Sequence, residues 1–229
     1  MPNKKTLLLI LSLIILPVLI FFSTKTFFQG SYILSSFYKV IFLFPLFFGI
    51  FIEKKGLKKS LLQDFHFKTF KKNFLIIFFI GLFLAVIYFF AFLLFSEFIS
   101  IEEITSGLKD SISLNITNLI FIGAYIIFIN SLLEEYFWRG FVFKKLFSSI
   151  KPLQAYLFSG IAFSFHHVMF YYNWFSPLFF TLVTLGLVFY AIIMNFIFQK
   201  YNDLFSCWFI HIFADIAQIG IGFFIFMNV

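Results

Sequence analysis

PLQAYLFSGIAFSFHHVMFYYNWFSPLFFTLVTLGLVFYAIIMNFIFQ, residues Pro152 to Gln199, contains no Lys, Arg, Asp or Glu. A helix needs about 20 mainly apolar residues to span hydrocarbon, so this run is long enough for two crossings. Tyr171 to Pro177, YYNWFSP, interrupts it with interfacial aromatics and a proline, and the reading is two helices joined there. Working outward, further spans are expected at Thr6 to Thr24, Ile33 to Ile52, Asn73 to Ser96, Ser111 to Leu133, and from near Leu204 to the vicinity of Val229. Lys39 interrupts the second of these and Pro45 kinks it. The first follows Lys4 and Lys5 without a small-residue cleavage site and reads as an uncleaved signal anchor.

Composition agrees. The chain has 229 residues, 62% hydrophobic and only 12% charged, with a mean hydropathy of +1.03. A soluble domain carries about twice that share of charge, which excludes a water-soluble globular fold. The 44 Phe are read as compositional bias without functional weight. Cys207 is the sole cysteine, so an internal disulfide and a cysteine metal cluster are excluded.

Loops test the span count, because cytoplasmic loops hold the lysines. Lys4, Lys5, Lys54, Lys55, Lys58, Lys59, Lys68, Lys71, Lys72, Lys144, Lys145, Lys151 and Lys200 fall on one side, against Lys25, Lys39 and Lys109 on the other. The expected fold is therefore all-α, a polytopic transmembrane helical bundle of seven spans with a cytoplasmic amino terminus and the acidic Glu97 to Asp110 loop outside. Residues 1–110 would form a three-span segment, and 111–229 the part that carries chemistry, in one integral bundle. The net charge of +7 is a topology signal facing the lipid bilayer and needs no nucleic-acid partner.

Ionisable groups in hydrocarbon cost about 2.5 to 3.5 kcal/mol on insertion scales, so those found there usually face an interior cavity. They fall in three strings: EEYFWRG with Glu134, Glu135 and Arg139; FSFHH with Phe163, His166 and His167; HIFAD with His211 and Asp215. Glu135 and Arg139 are one helical turn apart and suit a structural ion pair, while Glu134 is turned about 100° away and left for chemistry. Glu134 is alternatively a helix-end acid answered by Lys144 or Lys145. His211 and Asp215 share a face of the last span. Counting about 1.5 Å per residue puts Glu134 about 15 Å, His211 about 12 Å and His167 about 22 Å from the lysine-bearing boundary. His166 reads as a packing residue, His66 as a solvated loop residue, and Ser131, Ser159 and Ser164 as helix-packing residues. A carboxylate and imidazoles converging in a water-accessible intramembrane pocket can activate water for hydrolysis of an amide.

EExxxR, then FxxxH, then HxxxN or HxxxD, each on its own transmembrane helix, resembles the CPBP family, also called Abi, which includes CAAX prenyl endopeptidases of the Rce1 type and bacterial bacteriocin-processing or self-immunity proteins. The similarity covers Ser131 to Asp215. It implies an intramembrane glutamic-type endopeptidase of a peptide or membrane-protein segment, in a bacterial plasma (inner) membrane. By that resemblance Glu134 activates water together with His167, His211 and Asp215 form the oxyanion pocket, and Glu135 and Arg139 support the first motif. The CAAX enzymes carry asparagine at the position of Asp215. A carboxylate donates no hydrogen bond unless protonated. Zinc has been invoked for the family, but no HExxH string is present and a metal-free site without cofactor is expected. The alternative is a non-catalytic bacteriocin self-immunity or membrane scaffold protein. A proton-relay transporter would call for paired half-chain repeats, which the sequence lacks.

Overall fold

A computed structural model describes residues 37–96, 116–171 and 176–227, together with Leu8, Leu11, Ser12 and Ile15. Apart from those four residues the expected first span lies outside the described residues, as do the Glu97 to Asp110 loop, Lys4, Lys5, Lys25 and Lys109. The described chain is helical, without a strand. Helix α1 covers 37–52 in three pieces: a 3₁₀ stretch Phe37–Leu43, an α-turn Phe44–Phe47 that holds Pro45, and a π-turn Phe48–Ile52. Short α2 is Leu57–Leu62, α3 is Phe67–Phe95, α4 is continuous over 116–149, α5 is Pro152–Tyr171, α6 is Pro177–Tyr201 and α7 is Leu204–Met227. Among the described residues four helical stretches are long and apolar enough to cross a membrane: Leu57–Phe95, Thr117–Ser149, Pro177–Tyr201 and Leu204–Met227. α5 adds a twenty-residue helix beside them, and the break between α5 and α6 falls within YYNWFSP.

Two boundaries differ from the sequence reading. α3 begins at Phe67, six residues before Asn73, because the lysine-bearing segment remains helical rather than looping. α4 runs on through the acidic string to Ser149, where the sequence suggested a span ending at Leu133. Two π-turns, Tyr125–Asn130 and Trp138–Phe143, interrupt its α geometry on either side of Ser131–Phe137. Such turns reset which side chains share a face. Between Glu134 and Phe143 only Gly140 escapes full burial.

Aromatic rings fasten the helices. α3 and α7 run in the same direction with Phe70 and Phe74 against Phe209 at 5.3 and 5.5 Å, and Phe78 against Phe213 at 5.4 Å. Edge-on contacts of this kind suit the ring quadrupole. Gly81 permits the approach, since a Cβ there would meet the Phe213 ring at 2.7 Å. α1 lies along α4, with Phe42 on Phe137 and Phe48 on Phe141, each pair at 5.1 Å.

At the lysine-bearing end polar ties replace rings. Lys144 pairs with Asp64, Lys145 with Glu53 at 2.6 Å, and Lys55 with Glu53 at 2.7 Å. The Tyr136 hydroxyl donates to the Ser60 carbonyl at 2.7 Å. Asp203 caps α7 by accepting from the Ser206 amide at 3.0 Å and its hydroxyl at 2.7 Å. Asn202 ends α6 in the left-handed region at φ 47°, a common helix terminator. His66 is not a free loop side chain. Its amide donates to Asp203 Oδ1 at 2.7 Å, and its Nδ1, 2.6 Å from the Asn202 carbonyl oxygen, ties the entry of α3 to the α6–α7 turn.

Candidate functional site

The three charged strings meet inside the bundle. α4 presents Glu134 and Glu135, α5 presents His167, and α7 presents His211 and Asp215. Glu134, Glu135, His211 and Asp215 are all buried, with no more than 6% of their surface exposed. Lys144 and Lys145 are engaged with Asp64 and Glu53, so the reading of Glu134 as an acid answered by either lysine is overturned.

Glu135 behaves as its spacing predicts and does more. Its Oε1 accepts from Arg139 at 2.8 Å, one turn on, and the same oxygen lies 2.7 Å from His211 Nδ1. The Arg139 guanidinium sits 4.4 Å over the Phe163 ring, a stacked arrangement suited to a planar cation. The ion pair therefore orients the imidazole of another helix as well as steadying its own.

Partners assign the imidazole hydrogens. His167 Nδ1 lies 2.9 Å from the carbonyl oxygen of Phe163. A carbonyl only accepts, so Nδ1 carries the hydrogen and Nε2 is turned outward. That Nε2 is 3.3 Å from Glu134 Oε2. His211 follows the same logic: Nδ1 donates to Glu135, and Nε2 faces Glu134 Oε2 at 4.0 Å and Asp215 Oδ1 at 3.6 Å. Two imidazole Nε2 atoms and two carboxyl groups thus converge on one another. Such an arrangement calls for protons to be shared among them, which is what a group that takes a proton from water requires.

The structure also shows what the strings did not suggest. Asn130, one turn before Glu134, donates from Nδ2 to Glu134 Oε1 at 2.6 Å and fixes the carboxyl so that Oε2 points at the imidazoles. An amide at the preceding turn of the same helix was the available signal. Ser131 joins two helices, donating to the Ile127 carbonyl at 2.5 Å and accepting from Trp208 at 3.1 Å. His166 is buried in a T-shaped contact with Phe42 at 5.2 Å and beside Trp138 at 5.9 Å, as a packing residue would be. His167 meets Glu134 although residue counting set it about 7 Å deeper, because length along one helix equals depth only when all the axes are parallel. Among the described residues no group of three or more His, Cys, Asp or Glu side chains is arranged to hold a metal ion.

No curated protein and no solved structure matches the chain. Residues 116–217 of this multi-pass membrane protein, the stretch that holds all three charged strings, match the model of the family described as type II CAAX prenyl endopeptidase Rce1-like.

Proposed function

We propose that this protein is an intramembrane endopeptidase of the plasma membrane that hydrolyses a bond in a peptide or membrane-associated protein with a water activated by Glu134 and His167. The observation that carries the reading is the approach of Glu134 Oε2 to the Nε2 atoms of His167 and His211, brought from two other helices. Water bound there gives its proton to the Glu134 and His167 pair, and the hydroxide adds to the peptide carbonyl carbon. His211 and Asp215 border the tetrahedral intermediate. Collapse reforms the carbonyl and expels the amine, which takes back the proton. Glu135 and Arg139 hold His211, and Asn130 holds Glu134. Each step uses this chain's side chains and water, without metal or cofactor.

The test is cleavage of quenched-fluorescence peptides by the full chain in lipid nanodiscs, with a library that includes unmodified and prenylated cysteine peptides. Wild type is expected to cleave a subset of the library and to keep its rate in EDTA. Glu134→Gln and His167→Ala are expected to lose about 10²- to 10⁴-fold in rate with unchanged unfolding temperature. Full activity in Glu134→Gln overturns the mechanism. Failure of wild type to cleave any member overturns the reading.

A further inference from the structure

The lysine-bearing end of the bundle carries a surface that the chemistry of the site does not use. α1 gives way to α2 through Lys54, whose φ of 54° lies in the left-handed region that favours glycine. α2 is pressed inward at one point. Ser60 is fully buried, and a Cβ on Gly49 of α1 would meet its hydroxyl oxygen at 2.6 Å. Around that point the surface faces away from the protein: Phe51, Leu57, Leu62 and Phe67 each expose more than half of their area. Lys54, Lys58 and Lys59 are exposed among these side chains, as are Lys68, Lys71 and Lys72 on the first turns of α3.

Among the described residues no carboxylate answers these lysines. Those at this end are engaged elsewhere: Glu53 with Lys55 and Lys145, Asp64 with Lys144, and Asp203 at the start of α7. Cations interleaved with large apolar side chains mark an interaction surface, and the depth of this one identifies what meets it. α3 runs on from Lys72 to the outward-facing Leu75 and Phe79, about 10 Å further along the helix, so the lysines stand at the edge of the lipid-facing surface. Anionic headgroups above hydrocarbon complement both parts. Ammonium groups pair with phosphates, while leucine and phenylalanine enter the acyl boundary. An acidic peptide would answer the lysines and leave the apolar side chains in water.

We propose that Lys54, Lys58, Lys59, Lys68, Lys71 and Lys72 bind the phosphates of anionic phospholipids in the adjoining leaflet, with α2 lying in the interface as their platform. The platform is tied to the helices that carry the site. The Tyr136 hydroxyl, two residues beyond Glu134, donates to the Ser60 carbonyl at 2.7 Å. The Leu204 amide, at the start of the helix that bears His211 and Asp215, donates to the Asp64 carbonyl at 2.8 Å. Lipid held on α2 therefore stabilises the folded arrangement of α4 and α7 by mass action, because it binds the folded chain in preference to the unfolded one.

The experiment titrates the full chain, in uncharged detergent micelles, with dioctanoyl phosphatidylglycerol and reads the rise in unfolding temperature. Dioctanoyl phosphatidylcholine, inorganic phosphate and a ten-residue glutamate peptide are the comparison probes. Phosphatidylglycerol is expected to raise the unfolding temperature by about 5 °C at saturation, and each of the other three by less than about 1 °C. Replacing a lysine by glutamine is expected to weaken the apparent affinity about threefold to fivefold. Lys58→Gln with Lys59→Gln then loses about tenfold to twentyfold, whereas Lys58→Arg with Lys59→Arg keeps the wild-type affinity. Should the glutamine pair not be recovered folded, Lys68→Gln, Lys71→Gln and Lys72→Gln together carry the same comparison. An equal rise with phosphatidylcholine, or a folded glutamine variant with wild-type affinity, overturns the inference. An equal rise with the glutamate peptide or with phosphate alone overturns the assignment to lipid. No readout involves cleavage, so failure here leaves the hydrolytic reading standing, and failure of that reading leaves this one testable.

Discussion

α3 and α4 are both long membrane helices from one Phe-rich chain, yet they are built in opposite senses. In the twenty-nine residues of α3 only Ile77 and Gly81 are buried, and Leu75, Phe79 and Phe83 present more than 60% of their surface outward. In α4 the stretch Glu134 to Arg139 is wholly buried, although half of its residues are charged. In water the assignment would be reversed, but lipid removes the driving force for hiding phenylalanine and leaves a strong one for hiding charge. The ionisable residues within the spans are therefore held in the core, while aromatic residues serve both the core and the outward surface.

Three substitutions test that contrast. The largest effect is expected from Arg139→Met, which leaves Glu135 buried with only His211 to answer it. Loss of one partner of a buried pair costs about 3 to 5 kcal/mol, and thermal unfolding in detergent should register it, with His211 freed to turn. A smaller loss than that of an ordinary apolar truncation would mean that α4 is less enclosed than its burial indicates. Next is Phe79→Lys on the outward face of α3, expected to cost about 2.5 to 3.5 kcal/mol of insertion and to lower the membrane-inserted yield. An unaffected yield would place that face against protein or water.

The smallest effect concerns the polar ends. Burial would raise the Glu53 carboxyl, but hydrogen bonds and charge from Lys145 and Lys55 outweigh it and hold the group below its ordinary range. A group depressed in the folded state contributes stability above its unfolded value and loses it as pH falls through the folded one. Because Glu53 and its two lysines keep part of their surface in solvent, the loss as the carboxyl is protonated is about 0.2 to 1 kcal/mol. Lys145→Met should abolish most of that pH dependence in unfolding measurements. An unchanged acid slope would locate the stabilisation elsewhere.

The sequence was most informative where the membrane made residues expensive. Glu134, Glu135, Arg139, His167, His211 and Asp215 stand out because hydrocarbon spans carry so few groups of their kind, and helical periodicity alone separated the ion-paired acid from its neighbour. The all-helical class and the break at YYNWFSP followed from run lengths. Asn130 escaped notice because an asparagine in a span is ordinary, and only its register with Glu134 gives it a task. Lys39, which interrupts the second expected span, is buried in α1 with 8% of its surface exposed, and its neighbours across the bundle are set by the packing of α1 on α4. His66 and Asp203 are 137 positions apart, and their tie is tertiary in origin. The π-turns of α4 leave no periodic mark, since one added residue per turn is lost among uniformly apolar side chains.

His211 sits between Phe209 and Phe213 in the sequence, two residues from each, which places both rings on the opposite side of α7. The benzyl groups that clip α7 to α3 consequently fix the azimuth at which the imidazole meets Glu134. Exchanging those rings for smaller or larger ones would retune the pocket from behind, by rotating a helix whose polar face had not been altered.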